Sequence, residues 1–480
     1  MPSLRRSLIA RSLLTRSAGV AAVLLLSGPA GAQIAPGPNV NPRTVWSNPP
    51  EVFTTRVIAT GFDDPWEVTW GPDGFLWITE RVGKRVVRVN PADGSRKVAV
   101  SIDEVYQTLP QDGLLGLALH PDLLRGSNYV YVMYTYDADA GPDAERRAKI
   151  RRYTYDPASQ QLGDPVDLLT NLPHGPDHGA SRLVFGPDGK LYASRGDHGS
   201  NFLAFYCVPI RAQELPIAAD IQARNWRGYE GKILRLELDG SIPDDNPVFH
   251  GVRSHVFSYG HRNPQGMAFG SDGQLYESEH GQDTDDEVNR VEAGRNYGWP
   301  LIAGFKDDQY YTYANWSASS PTPCASLAYG RDVPSTVPQI KESAVDLPDF
   351  TPPLATFFTV PSTHDTRTLG NATAALAGLD VYTSPTIPGW SPSILVAGMV
   401  SGVIFRVPLP ATSAPPLTYF KAEDRYRDLA IAPDGRRIYA VTTVLGRVVT
   451  ATGEATATLA HPGALLEFTY TGTRTGESAK

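Results

Sequence analysis

The sequence predicts an all-β chain folded as a β-propeller, on three observations: a turn phrase that recurs four times, the spacing of its copies, and a shortage of helical periodicity. The phrase is Gly71-Pro72-Asp73-Gly74-Phe75-Leu76-Trp77, then Gly186-Pro187-Asp188-Gly189-Lys190-Leu191-Tyr192, Gly270-Ser271-Asp272-Gly273-Gln274-Leu275-Tyr276 and Ala432-Pro433-Asp434-Gly435-Arg436-Arg437-Ile438-Tyr439. Each copy is a hairpin signal. Proline presets one turn torsion, Asp-Gly supplies a positive φ, and the aliphatic and aromatic residues that follow open a strand. The copies lie 186 − 71 = 115, 270 − 186 = 84 and 432 − 270 = 162 residues apart. Those offsets read as three, two and four units of about 40 residues, the length of a four-stranded blade. Between the phrases run short alternating segments such as 85–89 and 232–238, and long amphipathic helical patterns are scarce. Asp-Gly turns recur in any β protein, but four copies in equivalent strand contexts favour a propeller over a sandwich.

The N-terminus reads as a targeting segment. Arg5, Arg6, Arg11 and Arg16 precede an apolar run, 18–26, and then Ala30-Gly31-Ala32, the order of a secretory signal (residues 1–32) cleaved after Ala32. Arg5-Arg6 also partly matches a twin-arginine export signal. The run is far shorter than the roughly 20 residues that span a bilayer, and no comparable stretch follows. The mature chain is therefore expected to lack a membrane span and to be periplasmic or secreted. Residues 33–52, rich in Pro and Asn, read as an extended lead-in, and 53–475 as one propeller domain.

Loss of the four arginines takes the formal charge from −8 to −8 − 4 = −12 and leaves no basic block that could follow a phosphate backbone, so no nucleic-acid partner is expected. Cys207 and Cys324 fit neither a disulfide framework nor a CxxC pattern, leaving two free thiols or one bridge. Segments 317–337 and 361–377 resist a strand reading. They are expected as long loops on one face, where propellers carry binding function.

Several polar clusters stand where a buried strand face has no use for them. Asp177-His178 is followed by Arg182 and by Gly196-Asp197-His198-Gly199. A neutral imidazole beside a carboxylate has the form of a general base, although on spacing alone a histidine satisfied inside a loop is the commoner outcome. Gly260-His261-Arg262-Asn263-Pro264-Gln265-Gly266 sets a fixed cation and an amide between glycines, as an anionic ligand held close to the backbone would require. Arg425-Tyr426-Arg427 puts two guanidinium groups on one side of a strand; they want an anion, or form two ordinary surface ion pairs. The run 279–287, with Asp307-Asp308 beyond it, concentrates hard oxygen ligands of the kind Ca²⁺ selects, with a solvated acidic loop as the competing reading.

Taken together, Gln111-Asp112-Gly113-Leu114-Leu115-Gly116, Arg151-Arg152-Tyr153-Thr154-Tyr155, Leu238-Asp239-Gly240-Ser241-Ile242-Pro243, the 261–266 run, Asn296-Tyr297-Gly298-Trp299-Pro300, Gly402-Val403-Ile404-Phe405-Arg406 and Arg425-Tyr426-Arg427-Asp428 resemble the soluble quinoprotein glucose dehydrogenases, the PQQ-dependent sugar dehydrogenase family. They stand in family order over nearly the whole mature chain. The resemblance implies a six-bladed β-propeller with long loops on the active-site face, PQQ and Ca²⁺ as cofactors, an unidentified electron acceptor, and homodimerisation as a family trait. It implies His178 as the base that takes the sugar's anomeric hydroxyl proton, with Asp197 orienting it and with Gln111 and Asp177 bonding the sugar. Arg262 and Asn263 match residues beside the quinone carbonyls, and Arg425 and Arg427 those that bind the cofactor's carboxylates. The carbonyls of Gly281 and Gln282 match ligands of the cofactor-bound calcium. A second calcium site would draw on Glu287, Tyr297, Ala303, Asp307 and Glu342. Hydride would pass from the anomeric carbon to the quinone C5, giving a lactone.

The chain also departs from the family. Val400-Ser401 stands where a cofactor-pairing lysine precedes Gly402, Phe202 replaces a glutamine of the sugar site, and His280 replaces another beside the calcium carbonyls. The aromatic loop over the sugar is not recognisable in 361–377. The implied substrate is therefore a sugar or related polyol rather than glucose in particular. A calcium-dependent propeller lactonase would share the blades and acidic residues but has no use for Arg262, Arg425 and Arg427. A carbohydrate-binding propeller without chemistry is the third reading.

Overall fold

The computed structural model describes residues 47–139, 141, 144–364, 372–411 and 415–474; the expected signal segment, 1–32, lies outside them. Six four-stranded antiparallel sheets form the blades. From the innermost strand outward they are Pro65–Trp70, Leu76–Glu80, Arg85–Val89 and Arg96–Ser101 in the first blade, and Leu114–Leu119, Tyr129–Asp137, Arg146–Asp156 and Gln161–Pro173 in the second. The third comprises Leu183–Phe185, Leu191–Arg195, Lys232–Leu236 and Val256–Tyr259, and the fourth Pro264–Phe269, Leu275–Glu279, Asp286–Val291 and Ala355–Phe357. The fifth holds Leu376–Tyr382, Ser393–Gly398, Val403–Pro408 and Leu417–Tyr419. In the sixth, Tyr426–Ile431, Arg437–Thr442 and Leu465–Thr473 are joined by the N-terminal strand Glu51–Ala59. That strand pairs Thr54 with Thr469 and Val57 with Leu466, so the two ends of the described chain close the ring.

Each blade packs between two others, so the middle strands are covered on both faces and read as continuous apolar runs. Leu76–Glu80 and Ser393–Gly398 are buried at every position. The core lies between the blades: Trp77, Val86, Leu117, Val132 and Tyr153 seal the first to the second, and Trp390, Leu395, Ile404, Ala440 and Phe468 the fifth to the sixth.

The turn phrases are hairpins. Gly74, Gly189, Gly273 and Gly435 adopt φ of 78°, 73°, 76° and 62°, and Asp73, Asp188 and Asp272 bond the aromatic residue that opens the next strand. The 40-residue unit, however, is wrong. The phrases join the innermost strand to the second in the first, third, fourth and sixth blades, so the offsets span two, one and two blades. Five blade steps cover 432 − 71 = 361 residues, about 72 each, because long connections are inserted between strands, as at 292–354 in the fourth blade. Of the two expected loops, 317–337 carries no strand and includes the short 3₁₀ turn Cys324–Ser326. In the other, Leu376 and Ala377 already belong to a strand, and 365–371 lie outside the described residues.

At the centre, Arg182 grips Asp428 with both terminal nitrogens, at 2.7 and 3.0 Å, and reaches Glu67 at 3.1 Å. Arg182 thus ties three blades across the channel. No helix of the described residues is long and apolar enough to cross a membrane.

Candidate active site

The innermost strands all begin at the same mouth of the channel, and the turn phrases occupy the other. The polar clusters sit just before or at those beginnings: Gln111 ahead of Leu114–Leu119, Asp177 and His178 ahead of Leu183–Phe185, Arg262 and Asn263 ahead of Pro264–Phe269, Arg425 and Arg427 around the start of Tyr426–Ile431. Topology alone therefore converges residues that are far apart in the chain.

His178 is buried, and its Nδ1 lies 2.6 Å from Asp197 Oδ1. The other Asp197 oxygen accepts the Trp299 indole N–H at 2.7 Å, and Gly199 N–H donates to Oδ1. This carboxylate is fixed on both sides, so it assigns the proton to His178 Nδ1 and leaves the lone pair on Nε2. The backbone here is in the left-handed region at His178, Ala180, Ser181 and His198, a conformation that surrounding structure must impose. Part of that pressure is visible at Gly196, where a Cβ would lie 1.9 Å from the His178 carbonyl oxygen.

Around the dyad the predicted partners assemble. Asp177 Oδ1 accepts the His178 backbone N–H and a Gln111 amide N–H. Gln111 Oε1 in turn accepts from Asn263 and from Gln265. Phe202 stacks on His178 at 6.1 Å, and the Arg262 guanidinium lies over both Phe202 and Trp299, at 5.5 and 5.3 Å. Arg262 also donates to the His280 carbonyl at 3.0 Å, and Glu279 Oε2 accepts the backbone N–H groups of Arg262 and Asn263.

Arg425 and Arg427 share a side, both reaching Met399 Sδ. They line a cavity of about 440 Å³ together with Gln111, Trp66 and Arg81. Arg427 packs flat on Trp66, 3.2 Å from the ring centre. Burial first, then Arg182, holds its guanidinium well below the usual range. The His280 imidazole is also held well below its usual range, by burial and then by Arg262, Arg427 and His178. Where Val400-Ser401 replaces the family lysine, the nearby Lys421 ammonium donates to backbone carbonyls, including Ser401 at 2.9 Å.

The acidic residues form a second polar cluster. Glu342 accepts the N–H groups of Ala303, Asp307 and Asp308, and Glu287 that of Gly304 at 2.6 Å. Burial pushes Asp285 up to about 8, with Asp307 and Glu342 repelling it, and Glu342 up to about 7. Burial, followed by Glu279, lifts Glu287 well above the carboxylate range. Tyr297 differs from this set: its hydroxyl donates to the Arg290 carbonyl and its ring stacks on His261, so only its backbone is available to this cluster. Gly281 N–H donates to Asp286, and Gln282 lines a separate cavity of about 420 Å³ with Phe202 and Tyr329. Cys207 and Cys324 form a disulfide that joins the loop after Phe202 to the loop carrying Tyr329.

Sequence reasoning gave no individual role to Trp299, Trp66, Met399 or Gln265. The first lay within a quoted motif, but its bond to Asp197 spans 102 positions and leaves no local signal.

The fold is a six-bladed β-propeller whose polar residues gather at one mouth of the channel. The family described as Glucose / Sorbosone dehydrogenase matches residues 62–324. Quinoprotein glucose dehydrogenase B of Acinetobacter calcoaceticus is 42% identical over 440 residues, 88% of this chain and 91% of that one. The PQQ-bound aldose sugar dehydrogenase of Streptomyces coelicolor aligns at TM-score 0.59 and 27% identity, over 88% of this chain and all of the other. The soluble aldose sugar dehydrogenase of Escherichia coli, in its apo form, aligns at TM-score 0.61 and 22% identity over 87% of this chain and 99% of that one, a likeness of fold. The chain belongs to the Glucose / Sorbosone dehydrogenase family.

Proposed function

We propose that this protein oxidises the anomeric C–OH of an aldose, or the equivalent position of a related polyol, to the lactone, with PQQ and calcium held at the mouth described above. The observation that carries the reading is the His178–Asp197 dyad set beside buried, uncompensated guanidinium groups. Arg427 Nε and Nη2, Arg262 Nε, Asn263 Oδ1 and His280 Nε2 are all buried without a hydrogen-bond partner. Unpaired buried cations are costly, and an anionic tricarboxylate with ring carbonyls answers the guanidinium donors among them. Arg425 and Arg427 would take its carboxylates, and Arg262 and Asn263 its carbonyl edge. Calcium would sit on the carbonyls of Gly281 and Gln282, and a second ion among Glu287, Tyr297, Ala303, Asp307 and Glu342, where Asp307 Oδ2 is also unpartnered.

When bound, the quinone supplies the hydride acceptor. His178 Nε2 takes the hydroxyl proton, and Asp197, held by Trp299, stabilises the imidazolium that results. Asp177 keeps Oδ1 on the His178 N–H and Gln111, which leaves Oδ2 to orient a sugar hydroxyl. Arg262 places a fixed positive charge where negative charge develops. A secretory signal at 1–32 would put this chemistry in the periplasm or outside the cell.

Purified protein reconstituted with PQQ and Ca²⁺ is expected to reduce a redox dye with some members of a panel of aldoses, and to need both additions. Quinone binding without dye reduction on any aldose or polyol, or lactone hydrolysis in its place, would overturn the assignment.

A further inference from the structure

Within the fourth blade, beneath the Arg262–Asn263 turn, His261, Glu277 and Glu279 form a cluster that the proposed chemistry does not use. His261 precedes the innermost strand, and the two glutamates alternate along the second, so their side chains share one face. His261 Nδ1 lies 3.6 Å from Glu277 Oε1 and 3.8 Å from Glu279 Oε1, too far for hydrogen bonds. One ligand atom from each residue falls within 4.8 Å of the other two. His261 and Glu277 are 0% exposed, and both His261 Nδ1 and Glu277 Oε2 lack a partner. Three of the other four polar atoms are engaged: His261 Nε2 pairs with Ser258 Oγ at 2.9 Å, Asn289 donates to Glu277 Oε1, and Glu279 Oε2 takes the N–H groups of Arg262 and Asn263. The unpartnered imidazole nitrogen, fully buried and aimed between two carboxylates, is an observation separate from the acidic pair.

The geometry points to a divalent transition-metal site at His261, Glu277 and Glu279, distinct from the calcium sites proposed above. A point equidistant from three atoms so spaced lies roughly 2–2.5 Å from each, the length of a metal–ligand bond. Metal binding requires Nε2–H to donate to Ser258 Oγ, which turns the Nδ1 lone pair to the ion. One imidazole with two carboxylates suits zinc or manganese, whereas calcium takes oxygen ligands. Burial of all three ligands means that the ion enters during folding and stays. Its consequence is positional: through Glu279 it fixes the turn that carries Arg262 and Asn263.

The test is elemental analysis of the full chain purified after expression with zinc and manganese in the medium and dialysed against a calcium chelator. About one equivalent of zinc or manganese per chain is expected, falling more than tenfold in His261→Asn. A wild-type chain without either metal, or equal metal in the two proteins, overturns the site. If the variant fails to fold, wild type unfolded and refolded with one equivalent of Co²⁺ decides: ligand-field absorption of bound cobalt supports the site, and a spectrum of hydrated cobalt alone sinks it. Neither readout depends on turnover, so the site stands or falls separately from the dehydrogenase reading.

Discussion

Three contacts fix His178, the proposed base. Asp197 orients Nδ1, Asp177 caps its N–H, and Phe202 covers one ring face. Replacing it with Asn keeps a polar group of similar reach but removes the proton acceptor, so turnover is expected to fall roughly 10²–10⁴-fold. Binding of PQQ, followed by fluorescence titration, should hold within about twofold, since no guanidinium is disturbed. Equal loss of binding and turnover would assign His178 to the cofactor instead. The His178–Asp197 pair was legible in the sequence because both residues stand in short Gly-bounded polar runs. The Trp299 contact was not, since an indole that bonds a carboxylate looks like any core tryptophan until the fold brings it there.

At the scale of elements, the ring closes on an N-terminal strand whose Phe53 packs against Trp390, Phe420 and Tyr470 at 5.5, 4.9 and 5.7 Å. Phe53→Ala is expected to cost ~2 kcal/mol, below the range for a fully enclosed phenylalanine because this one is half-buried. Denaturant unfolding measures it, and an unchanged midpoint would mean the closing strand contributes nothing. Across the channel, burial pushes Glu67 up to about 8 from its ordinary 4.5, with Arg182 opposing and Asp428 adding to the rise. Between those values the native protein holds a proton that the unfolded chain has released. Stability is therefore full below about pH 4.5 and is lost as pH rises toward 8, by up to ~1.4 kcal/mol per unit. Glu67→Gln cannot titrate, so its unfolding free energy should decline less steeply between pH 5 and 7.5; parallel profiles would refute that origin. Both features bear on what the sequence could reveal. The Asp-Gly turns were visible because their torsions demand particular residues, whereas the length of a blade was hidden by insertions whose lengths no local rule sets. The closing strand lay partly inside the segment read as a lead-in, because half-buried outermost strands carry little apolar signal.

The whole molecule carries a formal charge of −8, yet Arg81, Arg262 and Arg427 are buried at or beside one mouth of the channel. An anion bound there would therefore be held by local guanidinium groups against the overall field, not drawn in by it. The sequence indicated which arginines would meet, through motif order, but not that Trp66 and Met399 would form their bed, because that depends on blades one, five and six closing together. Anything that binds the folded state alone stabilises it, by ~2.7 kcal/mol when its concentration is about 100 times Kd. For a chain of this size that corresponds to a rise in Tm of roughly 3 °C when PQQ and Ca²⁺ are added. Arg427→Met keeps the packing on Trp66 while removing an unpaired buried charge, so the apo variant should melt no lower than apo wild type. Its Tm should then barely respond to the cofactors. A variant that responds as strongly as wild type would show that Arg427 does not hold the anion, and the cofactor would have to be placed elsewhere in the mouth.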